Sequence, residues 1–83
     1  MEVVQINWRI ANNQNDIEKW EQDIQDRITE CEEAIAFGDD REYQEKQRDD
    51  FIAADNEAIQ SCIDRIEELQ GYIVGYEQNY KKN

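Results

Sequence analysis

Apolar residues recur at steps of three and four along most of this chain, which is the spacing of one helical face. The stripe in the first half consists of Ile17, Trp20, Ile24, Ile28, Cys31 and Ile35. The stripe in the second half consists of Ile52, Ile59, Cys62, Ile66, Leu69, Ile73, Tyr76 and Tyr80. Its seven-residue period, interrupted by the polar residue Asp55, is typical of helices that pair as coiled coils. The pattern predicts two long helices, over residues 16–37 and 40–80.

A short segment with turn chemistry separates the two predicted helices at residues 38–39. Gly38 can adopt the left-handed conformation that ends many helices. Asp39 can cap the helix that follows, with Glu42 at its third position. Folding the chain at this point brings the two apolar stripes together. We therefore predict an all-α fold in which residues 1–83 form one domain, a long antiparallel helical hairpin.

Residues 1–15 fit two structures almost equally well. A helix would continue the first stripe backwards, through Val3, Ile6 and Ile10. A strand would instead alternate its apolar side chains onto one face, as Val4, Ile6, Trp8 and Ile10. Asn15, followed three residues later by Glu18, has the form of a capping box and favours a helix start at residue 16. The pattern thus leaves a short N-terminal strand open beside the helical alternative.

The apolar face of the second predicted helix is wider than one two-helix seam can bury. The additional apolar residues beside the heptad stripe are Phe51, Ala58, Ile63 and Tyr72. Ordering each residue costs roughly 1.5 kcal/mol, so a small hairpin usually needs further burial. We therefore predict a homodimer or higher oligomer that forms a helical bundle. The predicted oligomer seam consists of Ile52, Ile59, Ile63, Ile66, Leu69 and Ile73.

The two cysteines are predicted to be buried free thiols. Antiparallel pairing about the turn places Cys31 and Cys62 at different levels of the hairpin, about 24 Å apart at 1.5 Å per residue. A disulfide requires Cα atoms within about 7 Å, so a bridge between two subunits is the remaining alternative. Free thiols are typical of the reducing cytoplasm, and no apolar run approaches the roughly 20 residues that span a bilayer. We expect a soluble cytoplasmic protein without a membrane partner.

Acidity is the most unusual bulk property of the chain, which has 21 acidic and 9 basic residues, a net charge of −12 and no histidine. Without histidine, and with no side chain in a recognisable nucleophile setting, we predict no enzymatic activity and no catalytic residues. The cysteine and histidine clusters of zinc sites are missing too, so no metal or cofactor is predicted. A negative chain without a glycine-rich phosphate loop should also be repelled by nucleic acid, which argues against direct binding.

The acidity concentrates on the predicted hairpin. Two paired helices of about 25 residues are roughly 38 Å long, so the net charge is spaced at about one per 3 Å, within a factor of two of duplex DNA. The acids predicted to meet a partner are Glu30, Glu32, Glu33, Asp39, Asp40, Glu42, Glu45, Asp49 and Asp50. They predict a binding protein that occupies the basic surface of another protein, itself a binder of nucleic acid. The alternative is that the charge only keeps the helices soluble.

In format, the chain resembles the small acidic proteins that phages use to block restriction or CRISPR effectors. The features that carry this resemblance are a short histidine-free domain and acidic runs such as Glu30, Glu32, Glu33 and Asp39, Asp40, Glu42, Glu45, Asp49, Asp50. Members of this DNA-mimic class act by steric and electrostatic occupancy. The resemblance covers the hairpin and implies an inhibitor of a host defence complex, located in the host cytoplasm. No functional residue is carried over, because no family motif aligns with these positions.

Aromatic residues offer a second candidate surface at the end opposite the turn, formed by Trp8, Tyr72, Tyr76 and Tyr80. Such a cluster suits a partner interface or a dimer seam. The same rings can stack on a nucleobase, which makes a nucleotide-sequestering protein an alternative function. A structural or assembly protein that acts through oligomerisation is the other alternative, since its function would depend on the apolar faces and not on the acids.

Overall fold

Two helices make up the structure, a computed structural model that describes the backbone of residues 2–82 and the side chains of residues 2–77. The first helix, α1, spans Val3–Ala36, and the second, α2, spans Arg41–Lys82. They pack against each other as an antiparallel hairpin that measures 68 × 16 × 14 Å. The predicted all-α hairpin is confirmed, and residues 2–82 contain no strand.

The N-terminal segment is part of α1, so the strand alternative is wrong. Asn15 lies inside this helix and does not mark its start, which is at Val3. The residue before the helix is Glu2, whose backbone N–H donates a hydrogen bond to Gln5 Oε1 at 3.3 Å. Ile6, near the start of the helix, is fully buried. Burial of the apolar stripe therefore outweighs the weak helix propensity of the asparagines in this segment.

The turn between α1 and α2 uses the predicted glycine. Gly38 has a φ of 101°, in the left-handed region, and its backbone N–H donates to the carbonyl of Ile35 at 3.0 Å. This bond satisfies one of the carbonyl groups left free at the end of α1. Asp40, and not Asp39 as predicted, caps α2, because its Oδ1 accepts a hydrogen bond from the Glu42 N–H at 3.0 Å. The turn extends to residue 40, so the cap moves by one position.

The seam between the helices has a narrow core. Its buried apolar side chains are Ile6, Cys31, Cys62 and Leu69. Both cysteines are buried, as predicted. Across the seam Asp23 faces Asp55, and Arg27 faces Phe51. These pairs match the register expected from the position of the turn to within one residue.

Candidate functional site

Charge is distributed unevenly along the hairpin. We define the acidic half as residues 16–62, which comprise the turn and the parts of both helices next to it. It contains sixteen acidic and five basic residues, a net charge of −11 out of the −12 of the chain. The remaining residues, called the terminal half, carry five acids and four bases. The acidic half is about 32 Å long at 1.5 Å per residue, so its net charge is spaced at about one per 3 Å.

Eight of the nine acids predicted to meet a partner are exposed, and Glu45 is half-buried. Four of the nine have a role within the molecule. Asp40 caps α2, and three form ion pairs at 4.0, 3.4 and 3.0 Å, namely Glu30 with Arg27, Glu45 with Arg41 and Asp49 with Arg48. The five whose side chains have no hydrogen bond or ion pair within residues 2–77 are Glu32, Glu33, Asp39, Glu42 and Asp50. We call these five the unpaired acids, because their charges are available to a partner.

A polar layer interrupts the apolar seam at Asp55, which is 5% exposed. The carboxyl that faces it from α1 belongs to Asp23 and lies within hydrogen-bond reach. No donor contacts the buried Asp55 Oδ2 in the part of the chain whose side chains are described. A hydrogen bond between two carboxyls needs a proton on one of them. This contact raises the pKa of Asp55, and burial and the charge of Asp23 raise it further.

Arg27 is the cation next to this carboxyl pair. Its Nε lies 3.6 Å from Asp23 Oδ2, which is too far for a hydrogen bond, and its Cζ lies 4.0 Å from the centroid of the Phe51 ring. Its charge opposes the rise in the pKa of Asp55, but the pKa stays raised. With both carboxyls ionised, the layer of Asp23, Asp55 and Arg27 is left with one negative charge.

One side of the hairpin forms a groove lined by both helices. Three cavities of about 430, 660 and 60 Å³ follow one another from the terminal half towards the turn. The basic residues in their lining are Arg9, Lys19, Arg27, Arg48 and Arg65. The acidic residues in their lining are Asp16, Asp23, Glu30 and Glu68. This side, which we call the groove face, is therefore close to neutral, and the strong negative charge lies on the rest of the surface.

The predicted aromatic cluster lies at the terminal end of the hairpin. Trp8, Tyr72 and Tyr76 are 66%, 51% and 45% exposed. Other exposed apolar side chains at this end are Val3, Val4 and Val74. The side chain of Tyr80, the fourth predicted member, lies outside the described residues. The structure thus places apolar surface at the end of the rod where the net charge is low.

The residues of the predicted oligomer seam are already partly covered by the packing of α1 on α2. Leu69 is buried in the single chain. The half-buried members are Ile52, Ile59, Ile63, Ile66 and Ile73. The larger exposed apolar side chains lie elsewhere, on the groove face and at the two ends. Oligomerisation through the isoleucine row therefore stays a prediction.

The polar layer is the feature that sequence reasoning missed. The sequence shows Asp55 as a polar residue within the apolar heptad stripe, but nothing in it separates Asp23 from the many acids of the surface. The signal that could have found the pair is the register, which sets Asp23 opposite the single polar position of the second stripe.

The remaining chemistry of the described chain is sparse. Among the described residues, no three acidic or cysteine side chains are grouped to hold a metal ion. Neither helix contains, within residues 2–82, a stretch that is long and apolar enough to cross a membrane. Comparison with protein-family models, curated proteins and solved structures gives no match to this chain. The candidate site therefore consists of the acidic half, the polar layer and the groove face.

Proposed function

We propose that this protein is a non-enzymatic binding protein whose acidic half occupies a basic surface on a partner protein. The observation that supports the proposal is the concentration of charge, a net −11 at one end of the rod. Duplex DNA carries one negative charge per about 1.7 Å, so a surface built to hold nucleic acid would also attract this end. The unpaired acids near the turn are the side chains best placed to meet such a surface.

The partner in this proposal is a nucleic-acid-handling complex of host defence, which the protein inhibits by occupancy. Two packed helices, each about 10–12 Å across with its side chains, form a rod that is slender enough to lie in a groove that holds nucleic acid. Two packed helices keep the acidic side chains at fixed spacing, so little ordering is needed on binding. Inhibition of this kind requires no chemical step. Its electrostatic part weakens as salt screens the charges.

The test compares two double variants that change the net charge equally. Glu32→Lys with Glu33→Lys alters two unpaired acids in the acidic half, whereas Glu67→Lys with Glu77→Lys alters two exposed acids in the terminal half. The immobilised protein captures partners from a host lysate at about 0.1 M salt, where screening is weak. The captured protein is then purified, and its affinity for each variant is measured over a range of salt concentrations.

We expect the wild-type affinity to fall steeply as salt rises, and the variant at residues 32 and 33 to bind at least about tenfold more weakly. The control variant should stay within a few-fold of the wild type. Purified partner should also lose its nucleic acid when the wild-type protein is added. Equal weakening by both variants, or an affinity that does not respond to salt, contradicts the proposal.

A further inference from the structure

The hairpin exposes more surface than a compact protein of its size. A monomer of 9.9 kDa typically exposes about 5,200 Å², whereas this chain exposes 6531 Å². The surplus of about 1,300 Å² exceeds the roughly 800 Å² that each partner buries in a standard interface. The single chain therefore carries uncovered surface of the size that a second chain can bury.

The groove face is the side on which another copy of the chain meets the least repulsion. Five bases and four acids line it, while the rest of the chain holds four bases and seventeen acids. Large apolar side chains are exposed there as well, namely Trp20 and Phe51. Low net charge around exposed apolar groups is the composition of an interface.

The polar layer opens onto the same groove and is short of one positive charge. Asp23 and Arg27 both line the groove, and Asp55 lies behind them in the seam. Lys19 lies one helical turn from Asp23 but makes no ion pair among the described residues. Its ammonium group is therefore available to a carboxylate on another molecule.

We propose that a second copy of this chain docks antiparallel on the groove face, and that its Lys19 completes the polar layer of the first. The twofold axis of this dimer crosses the groove at the level of residue 21. On each copy, Lys19 lies two residues, or about 3 Å along the helix, to one side of the axis, and Asp23 lies the same distance to the other side. Lys19 of each copy then faces Asp23 of the other. The ammonium group of Lys19 from the other copy then supplies the positive charge that the polar layer lacks within one chain.

A further pair of opposite charges follows from the same axis. Asp16 of each copy lies opposite Arg27 of the other, at nearly equal distances from the axis, and both residues line the groove from α1. On α2, Arg65 comes level with Arg48 of the other copy, whose charge is already paired with Asp49. The two pairs of opposite charge therefore favour this register and direction for the second copy.

The ends of the rod also match in the antiparallel arrangement. Phe37, beside the turn, is 90% exposed, and it comes to lie next to Trp8 and Tyr72 of the other copy. Residues 27–51 of each copy, the part of the acidic half next to the turn, run along the nearly neutral terminal half of the other, whereas residues 16–26 and 52–62 of the two copies face each other. A parallel arrangement would set the two acidic halves side by side, and their repulsion disfavours it.

The test uses complementary charge variants. In a dimer of the Lys19→Glu variant, the new glutamate faces Asp23 of the second copy, and the two negative charges repel each other. In a dimer of the Asp23→Lys variant, the new lysine faces Lys19 of the second copy, and the two positive charges repel each other. Each variant alone should sediment as a monomer, whereas the wild type forms a dimer of about 20 kDa. An equimolar mixture of the two variants should regain the dimer, because both contacts then join opposite charges. The mixture has the same mean net charge as the wild type, so a general charge effect cannot produce this result.

Any one of three results overturns the proposal. These are a wild type that sediments as a monomer, a single variant that sediments as a dimer, and a mixture of the two variants that sediments as a monomer. Glu67→Lys, which changes the net charge as Asp23→Lys does but lies outside the groove lining, should leave the dimer intact. Circular dichroism checks that each variant is still helical.

A distance measurement tests the direction without altering the polar layer. Spin labels on Phe37→Cys, in a chain with Cys31 and Cys62 replaced by alanine, should lie about 45–50 Å apart in the antiparallel dimer. A parallel dimer would bring them within about 20 Å, because packed helices are roughly 10 Å apart, and that result would refute the arrangement. These experiments leave Glu32 and Glu33 unchanged, so the two proposals fail separately.

Discussion

Replacing Asp55 by asparagine should stabilise the hairpin at neutral pH. The side chain keeps its shape, and its amide can donate a hydrogen bond to the carboxylate of Asp23, which faces it across the seam. The wild-type pair can form that bond only when it holds a proton. The substitution therefore supplies the donor that the pair lacks, and it removes one buried negative charge.

The size of the effect follows from the geometry of the layer. Two unit charges about 4 Å apart repel each other by roughly 4 kcal/mol at an effective dielectric constant of about 20. Arg27 lies 3.6 Å from Asp23, and the side chain of Asp23 is 35% exposed, so attraction and solvent offset much of this repulsion. We expect Asp55→Asn to raise the free energy of unfolding by about 1–2 kcal/mol at pH 7–8, or roughly 5–10 °C in Tm for a domain of this size.

The pH dependence of this gain identifies its origin. Because folding raises the pKa of Asp55, the protonated pair contributes stability that is fully present below the ordinary aspartate pKa of about 4. That stability is lost as the pH rises through the raised pKa. The difference between Asp55→Asn and the wild type should therefore be small near pH 4 and should grow as the pH rises.

Urea denaturation in dilute solution, over a series of pH values, measures this difference. Asp50→Asn is the matched control, because Asp50 is an unpaired acid on the same helix and its loss changes the net charge equally. The control should shift stability by less than about 0.5 kcal/mol. A gain for Asp55→Asn that is the same at all pH values, or a loss of stability at neutral pH, would refute the account of the polar layer.

Three other predictions concern the packing and the turn. Ile6→Ala should cost about 2–4 kcal/mol in urea denaturation, since Ile6 is fully buried and its loss leaves a cavity at the terminal end. Gly38→Ala should lower the free energy of unfolding by about 1 kcal/mol, because Gly38 has a positive φ. Gly71→Ala should raise it by up to about 1 kcal/mol, because Gly71 lies inside a helix. A Cβ meets nothing within 4 Å at either site, so a change of the same sign for both variants would contradict these predictions. Cys31 and Cys62 should react with a thiol reagent only as the chain unfolds, because both are buried, and rapid reaction of the native protein would contradict this prediction.

Much of the hairpin could be predicted because its signals agree with each other. The apolar stripes repeat at helical spacing, and Gly38 sits between them with the chemistry of a helix end. Together they determine the number of helices, the turn and the register to within one residue. The cap at Asp40 shows the limit, because Asp39 and Asp40 have the same side chain and only the length of the turn chooses between them.

The N-terminal segment could not be decided from the sequence because two periodicities coincide there. Ile6 and Ile10 belong to both the helical and the alternating pattern, so local spacing gives no preference. Burial of Ile6 in the hairpin settles the structure, and that burial depends on a helix more than sixty residues away along the chain. The carboxyl pair is hidden for the same reason, since it exists only when Asp23 and Asp55 are brought together.

The uneven distribution of charge gives a single hairpin a large electric dipole moment along its axis. In the field of a cationic surface such a molecule rotates before contact, so its turn arrives first and its aromatic end points away. In the proposed antiparallel pair the two dipoles cancel while the charges add, and neither end is preferred. Alignment of the protein in an electric field should therefore decrease as the concentration rises and the copies pair.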